Sequence, residues 1–265
     1  MKIAAVQMIS GPQVVPNLQN ARGLIAQAAE QGAQLVALPE YFPMIGAADA
    51  DRLAAREHFG SGTIQDFLRD CARRHGIWLI GGSLPLAAED ENKLRNSCIV
   101  FNPQGKAVAR YDKIHLFGYS KGDENYDEAA TIEAGQTPIV FDSPFGRIGL
   151  GICYDLRFPE LFRRMGKIDL LVLPSAFTET TGRAHWELLL RARAVENQCY
   201  VLAPAQGGRH PSGRLTYGNS MIVDPWGDVL GRLDKGDGIV VVELDPARLA
   251  EVRTMLPALQ HRVLS

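Results

Sequence analysis

The sequence lacks the features that mark several classes of protein. It carries 28 basic and 30 acidic residues, for a formal net charge of -2, so it has no cationic excess with which to bind nucleic acid. No apolar run approaches the length that spans a bilayer, and we expect no membrane partner. The chain opens on the strand-like pattern Ile3–Gln7 rather than on a secretory signal, so we expect a cytoplasmic location.

The sequence is also poor in cysteine. Its four cysteines are far apart, with no Cys-x-x-Cys pair and no histidine spaced to share a zinc ion, so we expect reduced thiols and no metal. Cys71, Cys98 and Cys199 lie in apolar segments, where a small buried side chain is the usual explanation. Cys153 differs because of the segment that surrounds it.

Short apolar runs rich in Val, Ile and Leu predict a protein built on sheets. Predicted strands lie at Ile3–Gln7, Leu35–Leu38, Trp78–Gly81, Cys98–Phe101, Ile139–Phe141, Ile148–Ile152, Leu170–Leu173, Tyr200–Ala203, Ser220–Val223 and Ile239–Val242. Predicted helices lie at Asn17–Gln31, Ile64–His75, Pro159–Met165, Ala184–Asn197 and Pro246–Met255. Turns that contain Pro and Gly, at Asn102–Gly105 and Asp224–Asp228, predict hairpins and therefore mixed sheets.

Strands that are apolar on both faces need a cover on each side. Helices supply one cover and a second sheet the other, which predicts an α/β fold, a four-layer αββα sandwich of two mixed sheets with helices on the outer faces. No linker, charge block or low-complexity segment marks a boundary, so we expect one domain over residues 1–265. The polar loops Gly118–Gly135 and Gly207–Tyr217 are candidates to line a site.

The segment Arg147–Glu160 carries the first candidate for chemistry. An apolar strand pattern runs into Cys153, and a helix is predicted to begin shortly afterwards, at Pro159. Ligands of open α/β sheets bind at this end of the strands, and helix N–H groups favour the thiolate, which is the nucleophilic form. On this segment alone, Cys153 is either a nucleophile or one more buried thiol.

Two further side chains follow strand-like segments. Glu40 comes after Gln34–Pro39 and is flanked by aromatic residues, where partial desolvation raises the pKa of a carboxyl toward that of a useful base. Lys113 precedes an apolar patch, where an inward ammonium needs a carboxylate or a developing oxyanion as its partner. Each also fits an ordinary surface residue when it is taken alone. His115 is predicted to be structural.

Taken together, these motifs resemble the nitrilase superfamily of carbon–nitrogen hydrolases. The resemblance rests on Leu38–Phe42 (LPEYF), Tyr111–Leu116 (YDKIHL) and Gly151–Glu160 (GICYDLRFPE), which carry Glu, Lys and Cys in the order of that family's triad. It extends through almost the whole chain, including Ala4–Met8 and Leu173–Phe177. The resemblance implies a hydrolase of carbon–nitrogen bonds that uses no metal and no organic cofactor.

The resemblance also implies a role for each residue. Cys153 is the nucleophile that attacks a carboxamide, and Glu40 is the general base and later the acid. Lys113 and the backbone N–H of Tyr154 stabilise the oxyanion of the tetrahedral intermediate. The nitrogen leaves as ammonia, and water then hydrolyses a thioester on Cys153.

A second glutamate accompanies the triad in that family. Glu128 matches its position and is expected to orient the catalytic lysine and the substrate amide, with Glu124 and Glu133 as nearby alternatives. The family often has Asp where this chain has Gly118 and Ser where it has Ala129. Both positions lie in a loop that is expected to wall the pocket, so they bear on the choice of substrate.

The segment Leu173–Val201 resembles the branch of the superfamily that contains deaminated-glutathione amidase, with a small acidic amide as the substrate. Omega-amidase, which acts on α-ketoglutaramate, shares much of this segment and is the alternative. A pocket for either acid needs a cation, for which Arg209 and Arg214 are candidates. Phe177 and Thr181 are further candidate substrate contacts. His210 is another candidate cation, whereas Arg157 is expected to make structural ion pairs.

Other activities remain open at this stage. A nitrilase or an N-carbamoyl amino-acid hydrolase would use the same triad, and a catalytically inactive binding subunit would keep the fold without the chemistry. The segment from about residue 246 to residue 265 resembles the family's terminal segment, which commonly packs at a subunit interface. We therefore expect a homodimer or a larger homo-oligomer.

Overall fold

The computed structural model describes residues 1–46, 49–121 and 124–264. The predicted span 1–265 therefore includes residues that lie outside the described part: Ala47, Ala48, Gly122, Asp123 and Ser265. Gly122 and Asp123 belong to the predicted loop Gly118–Gly135, and Ser265 belongs to the predicted interface segment.

Along the described chain, helices separate single strands and longer runs of strands. The strands are β1 (Lys2–Gln7), β2 (Leu35–Ala37), β3 (Trp78–Ile80), β4 (Leu84–Ala87), β5 (Leu94–Phe101), β6 (Ala107–Asp112), β7 (Gly118–Lys121), β8 (Glu124–Asp127), β9 (Ile139–Ser143), β10 (Gly146–Leu150), β11 (Leu170–Val172), β12 (Tyr200–Ala203), β13 (Ser220–Val223), β14 (Val229–Leu233) and β15 (Gly238–Glu243). The α-helices are α1 (Val14–Glu30), α2 (Asp49–Ala54), α3 (Thr63–His75), α4 (Pro159–Arg164), α5 (Glu179–Asn197) and α6 (Pro246–Met255), with short 3-10 helices at Glu128–Ala130 and Cys153–Arg157.

The strands form two large sheets and one separate hairpin. The first sheet has the order β15-β1-β2-β3-β5-β4, with β6 also paired to β5, and the second has the order β14-β13-β12-β11-β10-β9. Strands β1, β2 and β3 run parallel, as do β10, β11 and β12, while the outer pairs are antiparallel. Both sheets are therefore mixed, as the predicted hairpins require. The separate hairpin pairs β7 with β8.

The two faces of the first sheet bury different neighbours. On β1, Ala4 and Val6 pack with the apolar side chains of α1 and α3, whereas Ile3 and Ala5 pack with those of the second sheet. On the far side of the second sheet, the buried Phe162 of α4 packs in the same core as α5. The alternation of a strand turns each face toward a separate apolar layer. The predicted αββα sandwich is confirmed.

The elements that the sequence pattern did not reveal are short or lie at sheet edges. Strand β4 contains Pro85, β6 has one buried residue and β14 has none, and α2 is only 6 residues long. Helix α5 begins at Glu179 rather than Ala184, because the side chain of Thr178 caps it by accepting from the backbone N–H of Thr181 at 3.2 Å. None of the helices described is long and apolar enough to cross a membrane.

Candidate active site

The side chains singled out from the sequence meet in one buried cluster. The Nζ of Lys113 lies 2.9 Å from Oε1 of Glu40 and 2.8 Å from Oε2 of Glu128. Lys113 and Glu40 are each 1% exposed, which rules out an ordinary surface role for either. Glu40, Glu128 and Cys153 line a common pocket. The thiol therefore shares its surroundings with one ammonium and two carboxylates.

Glu40 is held by a turn that follows β2. Its Oε1 accepts from Nδ2 of Asn96 at 3.0 Å, and its backbone carbonyl accepts from Nε2 of Gln206 at 3.1 Å. The backbone carbonyl of Pro39 accepts from the N–H of Ser83, so the chain after β3 fastens the same turn. These bonds fix the carboxylate at the carboxyl end of its strand, where the sequence predicted it.

Lys113 follows the last residue of β6 and points into the cluster. Its backbone N–H donates to Asn96 O at 2.9 Å, and its carbonyl accepts from Gly135 N at 2.8 Å. Burial alone would lower the pKa of the ammonium, but the charges of Glu128 and Glu40 outweigh it and hold the pKa well above its ordinary value. Lys113 is therefore a permanent cation in this site.

Glu128 is the second glutamate of the cluster. Besides Lys113, its carboxylate accepts from the hydroxyl of Tyr41 at 2.7 Å and from the backbone N–H of Phe117 at 2.7 Å. Burial would raise its pKa, but the Lys113 charge and these donors lower it below the ordinary value. Of the alternatives, Glu133 pairs with Arg95, and the side chain of Glu124 lies outside the described residues.

Cys153 begins a 3-10 helix in a strained backbone conformation. Its φ is 49°, in the left-handed region that residues other than glycine rarely adopt. Its own N–H donates to Pro174 O at 2.9 Å. The turn is fastened by Asp155, whose Oδ2 accepts from the N–H of Ile152 at 2.8 Å. The N–H of Tyr154 donates to no residue in the described part of the chain and stays available for an oxyanion.

The surroundings of Cys153 favour the protonated thiol. Burial raises its pKa well above the ordinary value, and the charge of Glu40 raises it further, while Lys113 opposes both. A thiol in this state needs a base to become a nucleophile. Of the two carboxylates that line the same pocket, Glu40 is the one whose charge acts more strongly on the thiol. Burial therefore acts against the thiolate that the helix terminus was expected to favour.

Four of the five predicted oxyanion and substrate contacts line this pocket. Tyr154, Phe177, Thr181 and Arg214 do so, together with Phe117, Arg157, Ala176 and Thr178. Arg209 is exposed and is not among the described residues that line the pocket. His210 is buried away from it, with its ring nitrogens 2.9 Å from Ser10 O and 2.8 Å from Thr216 Oγ1.

Arg157 was expected to make structural ion pairs, and this prediction is wrong. Among the described residues Arg157 pairs with no carboxylate, and its guanidinium lies 5.5 Å from the ring centroid of Phe177 and 5.8 Å from that of Tyr154. The neighbouring Asp155 instead bonds His115, at 2.7 Å from Nδ1, and the hydroxyl of Tyr111, at 2.7 Å. Arg157 is therefore a second cation at the thiol pocket, while His115 is structural, as predicted.

Two contacts of the cluster were missed by the sequence analysis. Tyr41 bonds Glu128, and Asn96 bonds Glu40, so both orient a carboxylate of the site. Tyr41 lies within LPEYF and could have been found as a polar aromatic beside Glu40, whereas Asn96 sits inside β5 with no local signal. In the described part of the chain, no group of three or more His, Cys, Asp or Glu side chains is arranged to hold a metal ion.

Comparison with known proteins decides the family. A model described as carbon-nitrogen hydrolase matches residues 2–254. The chain belongs to the carbon–nitrogen hydrolase family. The resemblance to the nitrilase superfamily that its motifs predict is thereby confirmed, and the protein is a hydrolase of carbon–nitrogen bonds.

Relatives of this hydrolase match it over nearly its full length. It is 44% identical to the deaminated glutathione amidase of Synechocystis sp., over 98% of this chain and 97% of that protein. It is 39% identical to the omega-amidase NIT2 of Homo sapiens, over 98% and 94%. The crystal structure of Nit3 of Saccharomyces cerevisiae, described as a member of branch 10 of the nitrilase superfamily, superposes with a TM-score of 0.88 at 32% identity, over 100% of this chain and 97% of that one.

Proposed function

We propose that this hydrolase is a cysteine-dependent amidase whose preferred substrate is deaminated glutathione. The observation that carries the proposal is the Lys113 ammonium, bonded between Glu40 and Glu128 in the pocket of a buried thiol. That arrangement supplies a nucleophile, a base and a fixed positive charge in one place. The likeness to deaminated glutathione amidase supports the choice of substrate.

The reaction proceeds in two halves. Glu40 takes the proton of the Cys153 thiol as the sulfur attacks the amide carbon, and the oxyanion is met by Lys113 and the N–H of Tyr154. Glu40 then gives that proton to the leaving nitrogen, which leaves a thioester on Cys153. A water molecule, activated by the same carboxylate, hydrolyses the thioester and restores the thiol.

Glu128 keeps Lys113 charged and takes no part in the proton transfer. Its carboxylate bonds Lys113 through both oxygens, at 3.1 and 2.8 Å, and keeps the lysine charged. Because its own pKa is depressed, it stays ionised while Glu40 cycles between base and acid. The two carboxylates thus have separate tasks.

The carboxylate of the substrate's α-keto acid half needs a cation of its own in the thiol pocket. Arg157 and Thr181 line the thiol pocket. Among the described residues the Arg157 guanidinium has no carboxylate partner, and its Nη1 lies 3.3 Å from Nδ1 of His185. A guanidinium and a hydroxyl together bind a carboxylate through charge-assisted hydrogen bonds. We assign them to the α-keto acid half of the substrate.

The leaving group depends on the substrate. α-Ketoglutaramate is a primary amide and releases ammonia. Deaminated glutathione contains only secondary amides, so its leaving group is the amine of a dipeptide. The expectation of ammonia from the sequence is therefore wrong for this substrate. Assays for the two substrates therefore need different readouts, the dicarboxylic keto acid being common to both.

The test compares steady-state kcat/KM for deaminated glutathione, α-ketoglutaramate, a nitrile and an N-carbamoyl amino acid. The proposal expects the highest kcat/KM on deaminated glutathione. A higher value on α-ketoglutaramate would make the protein an omega-amidase, as the human relative's name suggests, and a preference for the nitrile or ureide would overturn the amidase proposal. Silence on all four would favour a binding subunit of the same fold.

We also propose that the chain forms a homo-oligomer through its C-terminal segment. Four large apolar side chains are exposed there, at Met255, Leu256, Val263 and Leu264. Exposed apolar side chains that cluster on one segment are typical of an interface. The single domain and the cytoplasmic location remain predictions from the sequence.

A further inference from the structure

A larger cavity adjoins the thiol pocket. Its volume is about 400 Å³, whereas the thiol pocket, at about 10 Å³, has room for about one water molecule in the unliganded protein. Phe117, Glu128 and Arg214 line both spaces, so the larger cavity is reached past these three side chains. Whatever part of a substrate extends beyond Glu128 therefore enters this cavity.

The walls of this cavity carry two cations, Arg52 and Arg214. The guanidinium of Arg214 lies 5.3 Å from the ring centroid of Tyr126, and its buried Nε has no hydrogen-bond partner among the described residues. The carboxylates of the same walls are Glu128, whose charge Lys113 compensates, and the exposed Asp127. Arg214 is thus a cation with donors to spare at the junction of the two spaces.

The backbone of Arg214 is fixed in place. Its carbonyl accepts from the N–H of His210 at 2.9 Å, which closes the turn between them. The ring of His210 is bonded in turn to Ser10 O and to Thr216 Oγ1. Because a ligand-binding side chain needs a rigid support, this turn suits a recognition role better than an exposed loop would.

The order of the charged groups indicates whether the leaving group or the acyl group of the substrate faces the cavity. Glu40, which donates the proton to the leaving nitrogen, is bonded to Lys113, and Lys113 is bonded to Glu128 at the edge of the cavity. Arg157 and Thr181 line the thiol pocket but are not among the described residues of the larger cavity. This order favours a leaving group that extends past Glu128, with the acyl group on the side of Arg157 and Thr181.

We infer that this cavity binds the leaving amine and that Arg214, at the junction of the two spaces, recognises the carboxylate that this amine carries. The inference rests on the proposed function and adds to it the residue that selects a leaving group with a terminal carboxylate. A dipeptide spans about 7 Å from its nitrogen to its terminal carboxyl group, a length that leaves the thiol pocket and enters the cavity. A guanidinium can bind such a carboxylate through two parallel hydrogen bonds.

The test varies the arginine and the substrate carboxylate together. The substrates are deaminated glutathione and its analogue in which the terminal carboxylate is converted to a carboxamide. The wild-type protein is expected to prefer the acid by about 10-fold to 100-fold in kcat/KM, through KM more than kcat. Arg214→Gln is expected to lose most of that preference, because the substitution lowers kcat/KM for the acid and not for its carboxamide analogue.

Arg209→Gln is the matched control, because Arg209 lies on the same loop but is exposed and outside both spaces. It is expected to keep the wild-type preference. The inference is overturned if wild-type protein treats the acid and the carboxamide alike, or if Arg214→Gln lowers kcat/KM for both equally. If the wild-type protein hydrolyses neither compound nor α-ketoglutaramate, the proposed function fails and the inference fails with it; turnover without discrimination overturns the inference alone.

Discussion

At the scale of single residues, the site depends on a charge balance that is buried with the thiol. Lys113 is the one ammonium that bonds both Glu40 and Glu128 within the described cluster, and all three side chains are at most about a tenth exposed. A buried carboxylate without a cation is costly, so the lysine stabilises the fold as well as the oxyanion. These two contributions can be separated by mutation.

Lys113→Met is expected to lower kcat by at least about 10²-fold and to destabilise the fold by about 3–5 kcal/mol, because two buried carboxylates lose their cation. The double variant Lys113→Met with Glu128→Gln removes one of the two uncompensated charges. It is expected to regain stability in urea denaturation while remaining inactive. Restored activity in the double variant would contradict the role of Lys113 at the oxyanion.

Glu40→Gln removes both the negative charge of the base and its ability to accept a proton, and the two losses are expected to have different effects. Burial and the Glu40 charge both raise the pKa of Cys153, so removal of that charge lowers the pKa and raises the thiolate fraction at a given pH. Alkylation by iodoacetamide should then reach half its maximal rate at a lower pH than in the wild type, while kcat falls by about 10²-fold to 10⁴-fold.

The control for this experiment is Glu133→Gln, which removes a carboxylate that pairs with Arg95 instead. It is expected to leave the pH dependence of alkylation unchanged. An alkylation profile of Glu40→Gln that moved to higher pH, or normal turnover in that variant, would argue against Glu40 as the base.

Strand ends were enough to predict Glu40 and Cys153 as candidates, because both follow strands whose apolar pattern is clear. The order of the motifs added Lys113, and the family resemblance added Glu128, although the strands before these two residues were missed. The substrate contacts were harder. Arg157 was assigned to ion pairs because Asp155 and Glu160 surround it in sequence, yet the 3-10 helix turns Asp155 inward to His115 and leaves Arg157 at the pocket. Charge spacing along a chain does not fix the direction of a side chain in a short irregular turn.

At the scale of elements, one glycine sets how closely two loops approach at Glu40. Gly82, after β3, has φ +57°, and a Cβ there would lie 2.2 Å from Pro39 O. Gly76, which ends α3 with φ +62°, has nothing within 4 Å of that position. The two glycines share a backbone conformation but differ in their surroundings.

Gly82→Ala is therefore expected to cost more than Gly76→Ala. The left-handed conformation costs either variant about 1–2 kcal/mol, and the contact with Pro39 adds about 1–3 kcal/mol to Gly82→Ala alone. Because that contact moves the turn before Glu40, kcat should also fall in Gly82→Ala and hold in Gly76→Ala. Equal losses of stability in urea titrations, with equal kcat, would contradict this account of the turn.

The pattern of apolar residues predicted the central strands and the long helices, whereas it missed edge strands. The strand β14 exposes Val229 and Leu230, and β6 is exposed at Val108, so their side chains do not alternate between a core and solvent. Such strands are defined by pairing with a neighbour, which a single segment does not reveal. The same limit applies to the hairpin of β7 and β8, which stands outside both sheets.

At the scale of the whole molecule, the C-terminal segment is tied to the body but presents apolar side chains outward. Arg253 of α6 bonds Asp169 at 2.6 Å and the carbonyl of Gln198 at 3.0 Å. Beyond that helix, Val263 is 94% and Leu264 83% exposed. A second copy of the chain is the partner that the proposed assembly places on them.

The double variant Val263→Asp with Leu264→Asp is expected to weaken the assembly. Light scattering at micromolar concentration should give the wild-type protein a mass of at least twice that of one chain, and the variant a lower mass. Val15→Asp, at an exposed valine of α1, is the control and should keep the wild-type mass. A monomeric wild type, or an unchanged mass in the double variant, would contradict the proposed interface.

The most direct measurement is the turnover of Cys153→Ala on deaminated glutathione and α-ketoglutaramate, with Cys71→Ala as the control at a buried cysteine of α3. The account predicts that Cys153→Ala folds normally but loses kcat/KM by about 10⁴-fold or more on both substrates, while Cys71→Ala keeps its activity. Turnover by folded Cys153→Ala at a rate near that of the wild type would contradict the claim that this sulfur is the nucleophile.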